Sequence, residues 1–254
     1  MGLFDKKYCD VCGEKIGLLG NKKLEDGNLC KTCASKLSPW FSERRHSSLE
    51  EIKAQLAYRE ANKAEVSAFH ATRTLGKDPR VLLDEDQRKF MVTSAHNIQE
   101  VNPDVLNYTD VTGCDLIIDE TKTELKREDK DGNEVSYVPP RYTYEYDFRI
   151  EIRVNHPFFD EISFRLNPSS VEVEPTAGAG RFSAFAPMHN VAYAEYKKLG
   201  EDIRDTLLQA RQDARNDIAA AAAPQTAVIC PCCGATTMPD SNGRCEYCGS
   251  AVKG

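Results

Sequence analysis

The chain has 254 residues, 41% hydrophobic and 29% charged, which fits a globular protein with one or two cores plus small appendages and excludes collagen-like or wholly disordered classes. No run approaches the ~18 consecutive apolar residues of a membrane span, and the opening MGLFDKKYCD has no apolar signal region, so a cytoplasmic protein with no membrane partner is expected. The net charge of −7 is concentrated in residues 90–175, where 18 Asp and Glu meet 8 Lys and Arg, a field that repels phosphate-rich partners.

Nine of the ten cysteines lie in the first 33 or last 25 residues. Cys9-x2-Cys12 is followed by Cys30-x2-Cys33 after 17 residues, the spacing of a four-cysteine zinc module. In a CxxC turn both sulfurs and the intervening N–H groups face one point, so two turns supply a tetrahedral all-sulfur shell. Glycine follows Cys12, Cys233 and Cys248, where the tight turn requires a positive φ. Disulfides would need an oxidising compartment, which the absence of a signal segment does not favour.

Next, SSLEEIKAQLAYREANKAEVSAFHATRTLG opens with a capping box, Ser48-x-x-Glu51, and repeats apolar residues at Leu49, Ile52, Leu56, Val66 and Phe69. It predicts a helix of about seven turns stopping at Gly76, with a polar middle (Arg59, Glu60, Asn62, Lys63) that leaves only part of it packed. His70 on it is read as an ordinary histidine.

From about Arg88 to Glu174 the chain reads as β-structure. In YTYEYDFRIEIRV every even position from Tyr142 to Val154 is apolar or aromatic and the odd positions are polar, which predicts an antiparallel strand with one buried face. A strand of thirteen residues would span ~44 Å at ~3.4 Å per residue and is expected to bend around a small barrel. DKDGNE resembles a calcium loop, but its glycine comes fourth rather than sixth, so Asp131-Gly132 is read as a hairpin turn. The tyrosine ladder is read as core rather than a base-stacking platform, and Cys114 as a buried apolar group.

A second helix is predicted from about Pro187 to Ala223, with Tyr196, Leu199, Ile203, Leu207, Ala210, Ala214 and Ile218 on one stripe. Then Cys230-x2-Cys233 and Cys245-x2-Cys248 repeat the four-cysteine arrangement with an 11-residue spacer; Cys232 lies between two ligands and is read as a bystander. The expected class is α+β: a small antiparallel β-barrel or sheet with a long C-terminal helix, flanked by two four-cysteine zinc ribbons. The expected domains are a zinc-binding domain at 1–41, a helical linker at 42–76, an acidic β-domain with its closing helix at 77–223, and a zinc ribbon at 224–254. Cys9, Cys12, Cys30, Cys33, Cys230, Cys233, Cys245 and Cys248 are the expected ligands of two structural Zn2+ ions.

The N-terminal run CDVCGEKIGLLGNKKLEDGNLCKTCASKLSPWF, over roughly residues 8–41, resembles a family of uncharacterised bacterial zinc-finger proteins, domain of unknown function 4428. The resemblance implies that Cys9, Cys12, Cys30 and Cys33 bind zinc, and implies no activity. The later stretch VNPDVLNYTDVTGCDLIIDE and the closing CPCCG are similar to segments that follow in such chains. Several antiparallel strands closed by one long helix also resemble the pleckstrin-homology-like architecture.

No P-loop, GxSxG, HExxH or dinucleotide-binding run is present, so the expected function is that of a non-catalytic scaffold or protein-interaction protein. The alternative is nucleic-acid binding through the lysines Lys6, Lys7, Lys15, Lys22, Lys23 and Lys31, which nearby acids and thiolates offset. A third class, an enzyme assembled only in three dimensions, would draw on His96, His156, Asp119 and Glu120. The sequence specifies neither the partner nor the oligomeric state.

Overall fold

A computed structural model describes residues 7–173, 190–222, 227–240 and 243–252. It divides into two compact units, Met1–Gln212 and Asp213–Gly254, with the boundary inside the long helix.

The first unit begins with two hairpins of two-residue strands, β1 (Lys7–Tyr8) with β2 (Lys15–Ile16) and β3 (Lys22–Lys23) with β4 (Asn28–Leu29). A four-residue helix α1 (Lys31–Ala34) and a 3-10 turn follow, then helix α2 (Leu49–Ala68). The capping box is present: Glu51 N–H donates to Ser48 Oγ at 3.3 Å and Ser48 N–H to Glu51 Oε2 at 2.7 Å. Leu24 and Leu29 pack with Ile16, Leu37 and Ile52, so the start of α2 belongs to the N-terminal core.

Helix α2 is shorter than its periodicity predicts. It ends at Ala68, and Arg73–Gly76 form strand β5 instead. Gly76, with φ +81, makes the hairpin turn into β6 (Arg80–Asp84), and a Cβ there would lie 3.0 Å from Pro79 O. The polar middle is also not a free face. Ile52, Gln55, Arg59, Asn62 and Val66 are all buried at steps of three and four, one continuous stripe whose centre is polar.

Strands β5, β6, β7 (Lys89–Thr93) and β8 (Leu106–Asn107) form an antiparallel sheet in that order, with the short helix α3 (Ile98–Val101) between β7 and β8. Val81, Leu82, Leu83, Phe90, Met91 and Val92 are buried on consecutive positions, so both faces of the central strands are covered. This sheet begins ahead of the β-region expected from Arg88.

The second sheet is built on one long hairpin, β9 (Val111–Glu128) and β10 (Glu134–Val154). β11 (Glu161–Arg165) pairs with Arg149–Arg153 and β12 (Val171–Val173) with Tyr144–Tyr146, both on the far side of β10. Between them Asn167 stands in for strand backbone, accepting from Phe148 N–H at 2.8 Å and donating to the carbonyls of Ser169 and Tyr146. The period-two pattern holds: Tyr146, Phe148, Ile150, Ile152 and Val154 are buried. The strand does not curl into a barrel, however. It runs on past the core as a two-stranded ribbon, bulged between Ser136 and Arg141, and the described strands close no barrel for the long helix to cap. In the turn Asp129 Oδ1 accepts from the N–H groups of Asp131 and Asn133, and Gly132 has φ +81, so DKDGNE is a hairpin turn.

Helix α4 (Val191–Ala222) lays its first-unit part on the apolar face of this sheet. Tyr193 meets Tyr146 and Phe148 edge-on at 4.9 and 5.1 Å, and Tyr196 lies 5.8 Å from Phe148. Ile203 and Leu207 are fully buried, while Ile218 is exposed, so the predicted stripe is covered over only part of its length. Pro187, the predicted start, lies outside the described residues. In the second unit, β13 (Val228–Ile229) and β14 (Thr236–Thr237) form a hairpin, and Arg244 bridges to Ala251.

Candidate metal centres

Cys9, Cys12, Cys30 and Cys33 form one cluster and Cys230, Cys233, Cys245 and Cys248 another. Within each, the sulfurs lie within 4.8 Å of one another. The Sγ–Sγ distances of 3.8 Å (Cys12–Cys30), 3.6 Å (Cys230–Cys248) and 3.8 Å (Cys233–Cys245) are far beyond a disulfide bond.

Each knuckle is a closed backbone turn. In the first, Gly13 N–H donates to Cys9 O at 2.7 Å and Cys9 N–H to Glu14 O at 2.9 Å. Cys230 repeats this with Gly234 and Ala235, and Cys245 with Gly249 and Ser250. Gly13, Gly234 and Gly249 have φ +74, +73 and +71, the left-handed conformation expected after the second cysteine of a knuckle. The fourth knuckle has Ala34 in that place. There Cys30 caps α1, accepting from Cys33 N–H at 3.3 Å on its sulfur and from Ala34 N–H on its carbonyl. Asp10 ties the two N-terminal knuckles together, donating its N–H to Asn28 O and accepting from Asn28 N–H at 2.6 Å.

The electrostatics suit a cation. Burial raises the Cys9 thiol, but the N–H groups of Cys12, Cys30 and Val11 outweigh it and bring the group down to about 6. The Ser250 hydroxyl and N–H do the same for Cys248, also to about 6. In the same clusters Cys33 is pushed up by burial and by the neighbouring sulfurs, and Cys233 rises to about 12 because the surrounding sulfurs outweigh the Ala235 N–H. Four sulfurs this close ionise together only around a positive ion. The donor set therefore fits a tetrahedral metal held by thiolates alone. Cys232 is exposed and outside the cluster, as expected of a bystander. Cys114 is buried, and burial raises its thiol to about 12, which makes it unreactive.

Residues 7–55 match one family model. Its description is Domain of unknown function (DUF4428). The match reaches past Cys33 into α2, whose Leu49, Ile52 and Leu56 pack on the cysteine core. No curated protein and no solved structure matches the chain.

The structure does not gather the four suspects for an assembled enzyme. Asp119 pairs with Arg149 at 3.6 Å on the wet face of the second sheet, and Glu120 accepts from Tyr146 OH at 2.8 Å on the other. His96 is exposed. His156 packs against Tyr58 and Phe159, with centroids 4.8 and 4.1 Å away, and burial lowers its pKa.

A polar centre not anticipated from sequence lies next to His156. Asp104, almost wholly buried, accepts from Arg59 Nη1 at 2.7 Å, Tyr58 OH at 3.1 Å and Ser38 Oγ at 2.7 Å. Arg59 also donates to the carbonyls of Asn102 and Lys36, and Asn62 to that of Pro103. The pair joins the tail of the cysteine module, α2 and the loop before β8. Its visible signal was the step-three-and-four spacing of Gln55, Arg59 and Asn62, which an apolar-only stripe passes over.

Proposed function

We propose that each cluster holds one Zn2+ as a closed tetrathiolate site, and that the chain is a non-catalytic, cytoplasmic zinc-binding protein that acts by binding other proteins. The reading rests chiefly on the convergence of four sulfurs, all from the protein, in each cluster. Four protein ligands leave no coordination position for water or substrate, so such an ion holds a short segment folded and does no chemistry. The acidic residues at 90–175 favour protein over nucleic acid as the partner. No described helix is long and apolar enough to cross a membrane.

One observation favours the second reading, nucleic-acid binding through the N-terminal module. Lys22, Lys31 and Arg44, with Phe41, line a cleft of about 370 Å³ that has no acidic residue in its wall. Capture of the tagged protein at native level, with and without nuclease, separates the two. A protein partner that survives nuclease supports the first reading. Partners lost with the nucleic acid, and binding that falls steeply with salt, would replace it with the second.

A further inference from the structure

Among the described residues β9 pairs only with β10, leaving its other edge without a strand partner. Asp119 to Glu128 are exposed at every position. A free edge this long is a template for another strand unless its side chains prevent it, and the charges on β9 discriminate sharply between registers.

The register with β10 fixes the faces. Glu120, Lys122 and Glu124 stand opposite Tyr146, Tyr144 and Tyr142 on the side that α4 covers further along, and Asp119, Thr121, Thr123 and Leu125 are on the other. An antiparallel two-fold pairing keeps each set beside its own counterpart. When the axis passes through Thr123, Asp119 meets Arg127, Glu120 meets Lys126 and Lys122 meets Glu124 of the second copy. Each of these opposed pairs is made twice, Thr121 meets Leu125, and no like charges meet. Moving the axis one residue either way is repulsive. About Lys122, that lysine faces itself and Glu120 faces Glu124; about Glu124, that glutamate faces itself and Lys122 faces Lys126. Axes through Thr121 or Leu125 give two opposed pairs each instead of three. Opposite charges directly across strands stabilise a pairing and like charges disfavour it, so the pattern selects one register.

We propose that β9 is the dimerisation edge of this protein, pairing antiparallel with β9 of a second copy about Thr123 to make one continuous sheet across the two-fold axis. The junction buries only the strand edges and their side chains, so the dimer is reversible and weakens with salt. The zinc reading plays no part in it.

Sedimentation velocity of the full zinc-loaded chain over a concentration series tests this. Wild type is expected to dimerise, and Lys122→Glu or Glu124→Lys alone to weaken the dimer by about tenfold or more, with far-UV circular dichroism unchanged. An equimolar mixture of the two variants should dimerise again, because every charge at 122 then faces its opposite at 124. As an independent check, Thr123→Cys should cross-link to its own counterpart on oxidation, within the ~4.4–6.8 Å Cα separation a disulfide tolerates, and Thr121→Cys should not. A monomer at all concentrations, a dimer indifferent to Glu124→Lys, a mixture that fails to recover, or cross-links of Thr121→Cys rather than Thr123→Cys would each overturn the proposal.

Discussion

Asp104 holds three donors on its two oxygens while 1% exposed, and its ion partner Arg59 is 7% exposed, so removing either leaves a buried charge without its counterpart. Asp104→Ala is expected to cost about 3–5 kcal/mol in urea unfolding, against at most about 0.5 kcal/mol for Glu60→Ala in the exposed pair with Lys63. His156 supplies a pH dependence. Burial lowers its pKa in the fold, with Asp104 and Asp110 opposing, and Phe158 N–H donates to Nδ1 at 3.4 Å, which requires that nitrogen unprotonated. A histidine with a depressed folded pKa contributes stability that is present above its unfolded value, near 6.5, and lost as the pH falls through the folded one. Unfolding free energy should therefore fall from pH 7 to pH 5 more steeply in wild type than in His156→Phe; equal slopes would remove His156 from the account.

At Gly200 helix α4 lies close against the second sheet, where a Cβ would fall 2.4 Å from Leu116 Cδ1 and 3.1 Å from its Cγ. Gly200→Ala should gain about 1 kcal/mol in helix propensity yet lose about 1–3 kcal/mol to overpacking against the half-buried Leu116 side chain, a net destabilisation of about 0–2 kcal/mol. In a Leu116→Ala background the same change should become neutral or stabilising, a coupling that a double-mutant cycle reads directly. The long elements were the ones best visible in sequence. The period-two run from Tyr142 to Val154 and the period-3.6 stripe around Ile203 and Leu207 are each dictated by one buried face. Strand β5 was hidden because ATRTLG carries no alternation and follows a strong helix, so Gly76 read as a helix stop when it is a hairpin turn. The barrel expectation failed for a different reason. A long alternating strand can curl or run on as a ribbon, and the charged distal half of β9 shows which: with no apolar face to bury, it has no reason to close.

At the scale of the whole molecule, the eight cysteines were the most legible feature, because a metal shell made of two close turns is written locally in CxxC and in the glycine that follows three of the four. The Asp104 centre was the least legible, since Ser38, Arg59 and Asp104 come together only through tertiary packing across as many as 66 residues. If each cluster holds an ion only as a staple, a strong chelator should abolish the cysteine modules while the long β9–β10 hairpin keeps its strand signal in far-UV circular dichroism. The most direct measurement is native mass spectrometry of protein made under reducing conditions with ample zinc, compared with its Cys12→Ser and Cys245→Ser variants. Two zinc ions per wild-type chain and one in each variant are expected; one ion or none in wild type, or a single substitution that empties both clusters, would show that the clusters are not two independent zinc sites.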